Sequence, residues 1–227
     1  MNLTTPAAFL LLWLCSALVP LQVSASTDNE WRFEVLLDDK PIGFHNFYLS
    51  SNGENRELRG EARFSVKLLG FTVYDYSHRN LEIWQRNCLQ QIEASTDDNG
   101  DELFVRGNRD GERMLLESSS GNQGVSGCVM SFAYWNPDIL EQQQLLNAQT
   151  GEYLDVEVLS LGEKTLQLKG REVAALHYRL VTDENEIDLW YSGDRDWLAL
   201  SSITSGGRQL YYRRVMAAAE TGDDSGE

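Results

Sequence analysis

Apolar and polar residues alternate with a period of two through most of the chain after Trp31, and this pattern limits the backbone more than any other feature. Trp31-Arg32-Phe33-Glu34-Val35 and Phe71-Thr72-Val73-Tyr74-Asp75-Tyr76 each present two unlike faces when extended, the period of a β-strand. Asn52-Gly53, Asn99-Gly100, Asp110-Gly111 and Gly206-Gly207 separate such runs with dipeptides suited to tight hairpin turns, so neighbouring strands should run antiparallel. Strands are expected over 31–38, 42–50, 56–68, 71–85, 88–96, 102–108, 113–118, 153–160, 164–168, 173–182, 186–191, 197–204 and 208–215. So many strands in one open sheet must curl, close or split into layers. The expected fold is mainly β: a strongly curved antiparallel sheet, as an open barrel or a two-layer sandwich, with one short helix packed on it.

The helix is expected over about 137–147, after the stretch CVMSFAYWNPDIL at 128–140. Asn136 suits a cap, Pro137 the first helical position, and Asp138 the positive end of the helix dipole. Ile139, Leu140, Leu145 and Leu146 would form the apolar stripe and Glu141 to Gln144 the wet side. The aromatic residues before the helix would then pack between it and the sheet, at a corner of the chain, and a helix laid across a curved sheet can enclose a pocket.

The first 25 residues contain no Asp, Glu, Lys or Arg, and the apolar run Ala7 to Val19 is followed by Pro20 and by Val23-Ser24-Ala25. Residues 1–25 read as a secretory signal cleaved near Ala25, which implies a periplasmic or secreted protein with no membrane span after cleavage. A retained anchor is the alternative, but about 13 apolar residues fall short of the roughly 20 a spanning helix needs. Residues 26–216 would form a single antiparallel β domain and the small, acidic stretch 217–227 a disordered tail. The net charge of -16 repels phosphate backbones and anionic headgroups and argues against nucleic acid as a partner. Two cysteines remain after cleavage, Cys88 and Cys128. An oxidising compartment favours a disulfide between them, against two buried free thiols. No CxxC or HxxxH spacing recommends a metal.

No GxSxG, HExxH, phosphate-binding glycine loop or nucleotide fingerprint occurs in the sequence, so no cofactor is expected. His45, His78 and His177 each fall in an expected strand, but their spacing does not by itself make a metal site. Asp97-Asp98-Asn99-Gly100-Asp101-Glu102 fails as a calcium loop because Glu102 stands where the loop needs glycine, and an acidic hairpin tip is the better reading. The remaining signal is an excess of aromatic residues whose polar edges favour a pocket wall. Tyr74, Tyr76, His78, Trp84, Tyr134, Trp135 and Trp190 are the expected wall. Along Ile187 to Tyr191 both faces of the strand carry bulk, which implies cover on both sides.

The passages WRFEVLLDDKPIGFHNF (31–47), FSVKLLGFTVYDYSHRNLEIW (64–84), STDDNG (95–100), FAYWNPDIL (132–140), LWYSGDRDWLALSS (189–202) and GRQLYY (207–212) together resemble a bacterial exported family known as domain of unknown function 6134, itself similar in pattern to the broader DUF3108 group. The resemblance implies an exported β protein and supplies no catalytic residues. The order of elements is also similar in outline to the unclosed barrels of lipoprotein carriers such as LolA, an analogy of fold alone. The leading expectation is a non-enzymatic binder of an apolar or amphipathic, lipid-like small molecule. An envelope protein-interaction or assembly module is the alternative, and a hydrolase using His78 or His177 as a base is a third.

Overall fold

The computed structural model describes residues 27–215 other than 169. The expected signal segment 1–25 and the acidic tail 217–227 lie outside the described residues. Eight strands follow one another first: β1 (Thr27–Leu37), β2 (Lys40–Asn52), β3 (Asn55–Leu68), β4 (Phe71–Gln85), β5 (Cys88–Asp98), β6 (Asp101–Asp110), β7 (Arg113–Ser118) and β8 (Gly121–Ser126). An insert, residues 127–156, carries a 3-10 turn (Pro137–Glu141) and the short strands β9 (Gln144–Leu146) and β10 (Tyr153–Asp155). Five strands complete the chain: β11 (Glu157–Leu168), β12 (Arg171–Val181), β13 (Glu186–Tyr191), β14 (Trp197–Ile203) and β15 (Gln209–Arg214).

Thirteen of these strands form one antiparallel sheet in the order β11-β12-β13-β14-β15-β1-β2-β3-β4-β5-β6-β7-β8. The first strand therefore sits in the middle, paired with the last, with Val35 opposite Tyr212. Among the described residues β8 and β11 do not pair, so the sheet curls without closing into a barrel. The turns follow backbone chemistry, as at Asn99 and Gly100, whose φ angles of 56° and 99° make the tight turn that Asn-Gly favours.

The insert joins the two free edges by crossing the inside of the curl. Its Val129, Met130, Ala133, Trp135, Ile139, Leu145 and Leu146 belong to the same buried cluster as Trp31, Phe33, Trp84, Leu189 and Trp197 from the sheet. Trp84 meets Trp135 edge to face with ring centres 5.6 Å apart, and Trp197 lies 4.2 Å from Phe33. The Cys88–Cys128 disulfide and the bond from Leu89 N to Val129 O, 2.9 Å, tie the start of the insert to the start of β5.

The expected helix over 137–147 is replaced by the 3-10 turn Pro137–Glu141 and strand β9. Its start is capped as the sequence suggests, with Asn136 Oδ1 accepting from Asp138 N at 3.2 Å. Gln142 N then bonds Ile139 O at 3.2 Å, three residues back, and no further turn follows. The cause is packing on every side. Leu145 and Leu146 are adjacent and both fully buried, which a one-sided helical stripe does not provide but an extended segment inside a closed core does. Leu146 also gives N–H to Met130 O at 2.9 Å and takes a bond from Phe132 N at 3.1 Å, which satisfies its backbone without a helix.

The outer face carries a second, smaller cluster of Leu166, Leu168, Ala175, Trp190, Leu198 and Ala199, where the end of the β11–β12 hairpin covers β13 and β14. Cover on both faces of β13 follows, as its two bulky faces suggest.

Candidate functional site

Two rows of inward-facing residues cross the sheet at one end of the filled core. In the first, Phe33, His45, Ala62, His78 and Thr96 are successive partners on β1 to β5. In the second, Leu200, Tyr212, Val35, Gly43, Phe64 and Tyr76 are successive partners from β14 to β4. Gly43 has no side chain to stand between Val35 and Phe64, and a Cβ there would meet Arg63 O at 1.8 Å. The curl therefore brings Tyr212 and Phe64, three strands apart, to 6.3 Å between ring centres.

The resulting mouth is aromatic and polar together. Phe64 and Tyr76 stack at 5.0 Å with planes 8° apart, and His45 stacks on Phe47 at 4.1 Å. Tyr76 Oη donates to Gln149 Oε1 of the insert at 3.1 Å. Next to this contact, Phe132, Tyr134, Asn147 and Gln149 of the insert join Thr182, Asn185 and Ile187 around a cleft of about 210 Å³. His78 Nδ1 lies 2.8 Å from Thr96 Oγ1, but His45 Nε2 is shut off from solvent with no hydrogen-bond partner. Buried nitrogens of that kind are uncommon.

The buried rings of the mouth are neutral at neutral pH, and its acidic groups stand at the rim: Asp98 beside Tyr74 and Tyr76, and Glu184 on the cleft. Burial, with His78 second, holds the His45 imidazole well below the usual histidine range. Burial alone lowers His78 to about 4. The Tyr76, Tyr134 and Tyr212 phenols are all pushed upward by burial. A carboxyl group sits deeper, where Glu82 accepts bonds from Asn80, Trp84 and Ser131, and burial outweighs those bonds to raise it to about 7.

Of the expected wall residues, Tyr74, Tyr76 and His78 lie along one stretch of β4 and Tyr134 approaches them from the insert. Trp84 is 0% exposed and, with Trp135, belongs to the filled interior rather than a wall. Trp190 lies in the outer cluster, because Leu189 and Tyr191 on either side of it face inward. His177 stacks on Trp190 at 4.6 Å, so only His45 and His78, 6.4 Å apart, approach each other. Among the described residues no group of three or more His, Cys, Asp or Glu is placed to hold a metal. His45, Phe64, Gln149 and Tyr212 belong to the mouth and were not expected there. Alternation puts His45 on the face of Phe47, but only strand order brings Tyr212 beside it.

A crystal structure of a β-barrel-like protein of the domain of unknown function DUF1849 from Brucella abortus is similar to this chain, with TM-score 0.61 and 8% identity over 82% of this chain and 94% of that one. At such identity the likeness concerns the fold. No curated protein matches. The family model described as Domain of unknown function (DUF6134) matches residues 33–215, from the middle of β1 through the insert to the residue after β15. The sheet from Phe33 onward, the insert and the mouth all fall inside that match, and the chain belongs to the DUF6134 family.

Proposed function

We propose that the protein is an exported, non-enzymatic binder of a small amphiphile without net charge, held at the mouth between β2–β4, β15 and residues 132–149. The observation that carries this reading is an aromatic cradle around an unpartnered, neutral His45 Nε2. Apolar walls with a few fixed polar atoms are the usual make-up of a small-molecule site. The packed interior argues for a ligand at the mouth and against one sealed among the tryptophans. Burial lowers the proton affinity of His78, which makes it a weak general base, and His177 lies away from the mouth against Trp190, both of which weigh against a hydrolase.

Native mass spectrometry of the purified chain and titration with lyso-phosphatidylcholine, read by tryptophan fluorescence, test the reading. Trp197 lies 5.4 Å from Tyr134 and reports on the site. The expected result is a copurifying small molecule or saturable quenching, weakened about tenfold by Phe64→Ala through the loss of one stacking ring. No copurifying molecule and no fluorescence response would end the proposal. A second reading, an assembly module, is favoured by the free edge strand β11 with its exposed Leu159 and Leu161, since an open edge can take up another strand. A stoichiometric protein partner recovered from envelope extract, lost on Leu161→Lys, would favour it.

A further inference from the structure

The β3–β4 hairpin runs on past both of its neighbours. β2 reaches β3 only as far as Gly43 opposite Phe64, and β5 leaves β4 at Tyr76 opposite Asp98. β3 and β4 go on pairing to Leu68 and Phe71. Residues 65–75 therefore stand out as a two-stranded arm rising from the rim of the mouth. Its tip is apolar: Leu69 is 91% exposed, Phe71 76% and Val73 52%. Leu69 and Gly70 take φ of 51° and 87°, a turn in which Asn-Gly is favoured and leucine is strained. Lys67 pairs with Thr72, and Val66 pairs with Tyr74 across a register shift. Partners share a face, so Phe71, next to Thr72, lies on the face of Val66 and Tyr74. An apolar strip thus continues from the Phe64–Tyr76 stack toward the tip. A side chain kept both strained and fully exposed serves no packing purpose and points to an external contact.

We propose that this arm is a lipid-insertion tip that seats the mouth against a zwitterionic bilayer surface. Three side chains on a two-stranded arm can cover roughly 300 Å², well short of the about 800 Å² per partner of a stable protein interface, so a second copy or a protein groove fits poorly. Transfer of leucine, phenylalanine and valine out of water is sufficient for binding to a bilayer interface. Charge selects the lipid. The acidic β5–β6 tip, Asp97 to Glu102, is fastened to the base of the arm by Asn99 N to Asp75 O, 2.8 Å. With the net charge of -16, it repels anionic headgroups and suits the outward cationic group of phosphatidylcholine. The further step, that the mouth draws its amphiphile from that surface, rests on the reading of the mouth given above.

The test uses the chain from Ser26, as it stands after removal of residues 1–25, with one added cysteine carrying an environment-sensitive fluorophore, either Thr72→Cys on the arm or Glu112→Cys in the β6–β7 turn at the opposite end of the sheet. The expected result with phosphatidylcholine vesicles is a blue shift at position 72, quenched by brominated acyl chains, and none at 112. The L69N/F71S variant should partition about a hundredfold more weakly. L69N alone should raise the thermal midpoint while weakening partitioning, because the turn is relieved as the apolar contact is lost. Replacing a third of the lipid by phosphatidylglycerol should weaken binding. The proposal is overturned by a label at 72 that stays in water, by an equal response at 112, by a response to protein concentration without vesicles, or by tighter binding to anionic lipid. Phe64→Ala should leave the response at 72 unchanged while weakening lyso-phosphatidylcholine, so the arm and the mouth can fail separately.

Discussion

Replacing Cys88 and Cys128 together by alanine is expected to lower the unfolding free energy by about 4 kcal/mol. The bridge joins residues 40 apart in sequence and encloses β5 to β8, so it removes much of the freedom of the unfolded chain. Against a typical stability of about 5–15 kcal/mol the loss is large. It should fall hardest on the insert, whose entry would then depend on Leu89 N to Val129 O and on the polar cluster around Asn87. There Asn87 Oδ1 accepts from Arg56 at 2.9 Å and from Asn136 at 3.3 Å, and its amide donates to Asp138. Urea unfolding checks the prediction. The midpoint of the double variant should fall, its slope should rise because an unlinked denatured chain exposes more surface, and wild type in reductant should match it. A midpoint unchanged by both treatments would mean that the link does not limit the unfolded state.

Strand alternation carries the β architecture, because in an extended chain each residue's face follows from its neighbour's. Trp190 shows both the strength of that rule and how it misleads. Alternation separates it from Leu189 and Tyr191, yet nothing local states which of two bulky faces is the inside, and the tryptophan belongs to the outer cluster. β8 was not expected because Gly121 to Ser126 is almost wholly exposed and shows no two-faced pattern. The strands expected over 153–160 and 164–168 correspond to the short β10 and one long β11, because a register shift between Ser160 and Gly162 interrupts the period without ending the strand. The helix expectation failed for a tertiary reason. Asn136, Pro137 and Asp138 do start a helical turn, but Leu145 and Leu146 are surrounded by protein, and a segment buried on all sides need not keep one apolar stripe. The mouth was half legible. Tyr74, Tyr76 and His78 share a strand face in plain view, whereas Tyr212 reaches Phe64 only because the last strand pairs with the first and position 43 lacks a side chain.

Stability between pH 4.5 and 8 should be governed by two buried groups that act in opposite directions, and single substitutions should expose each. Glu82 is raised from 4.5 to about 7 by burial, with only Asn80, Trp84 and Ser131, all neutral, bonded to it. Its contribution is fully present below the unfolded value and is lost as pH rises through about 7, a change of about 3 kcal/mol. His78 is lowered from 6.5 to about 4 by burial beside Thr96 and His45. Its contribution is present above 6.5 and is lost as pH falls through about 4, again about 3 kcal/mol. His45, also lowered, adds to the acid limb. Across pH 4.5–6.5 the Glu82 and His78 slopes oppose each other, so wild type should change little through this pair. Glu82→Gln removes one slope. The variant should exceed wild type by about 3 kcal/mol at pH 8, converge with it near pH 4.5, and show the full acid loss below 6.5. His78→Gln should do the reverse, gaining stability as pH falls from 7 to 4.5. Chemical denaturation at pH 4.5, 6.5 and 8 decides the matter, and a Glu82→Gln profile parallel to wild type would show that the carboxyl ionises in the folded protein as freely as in the unfolded one.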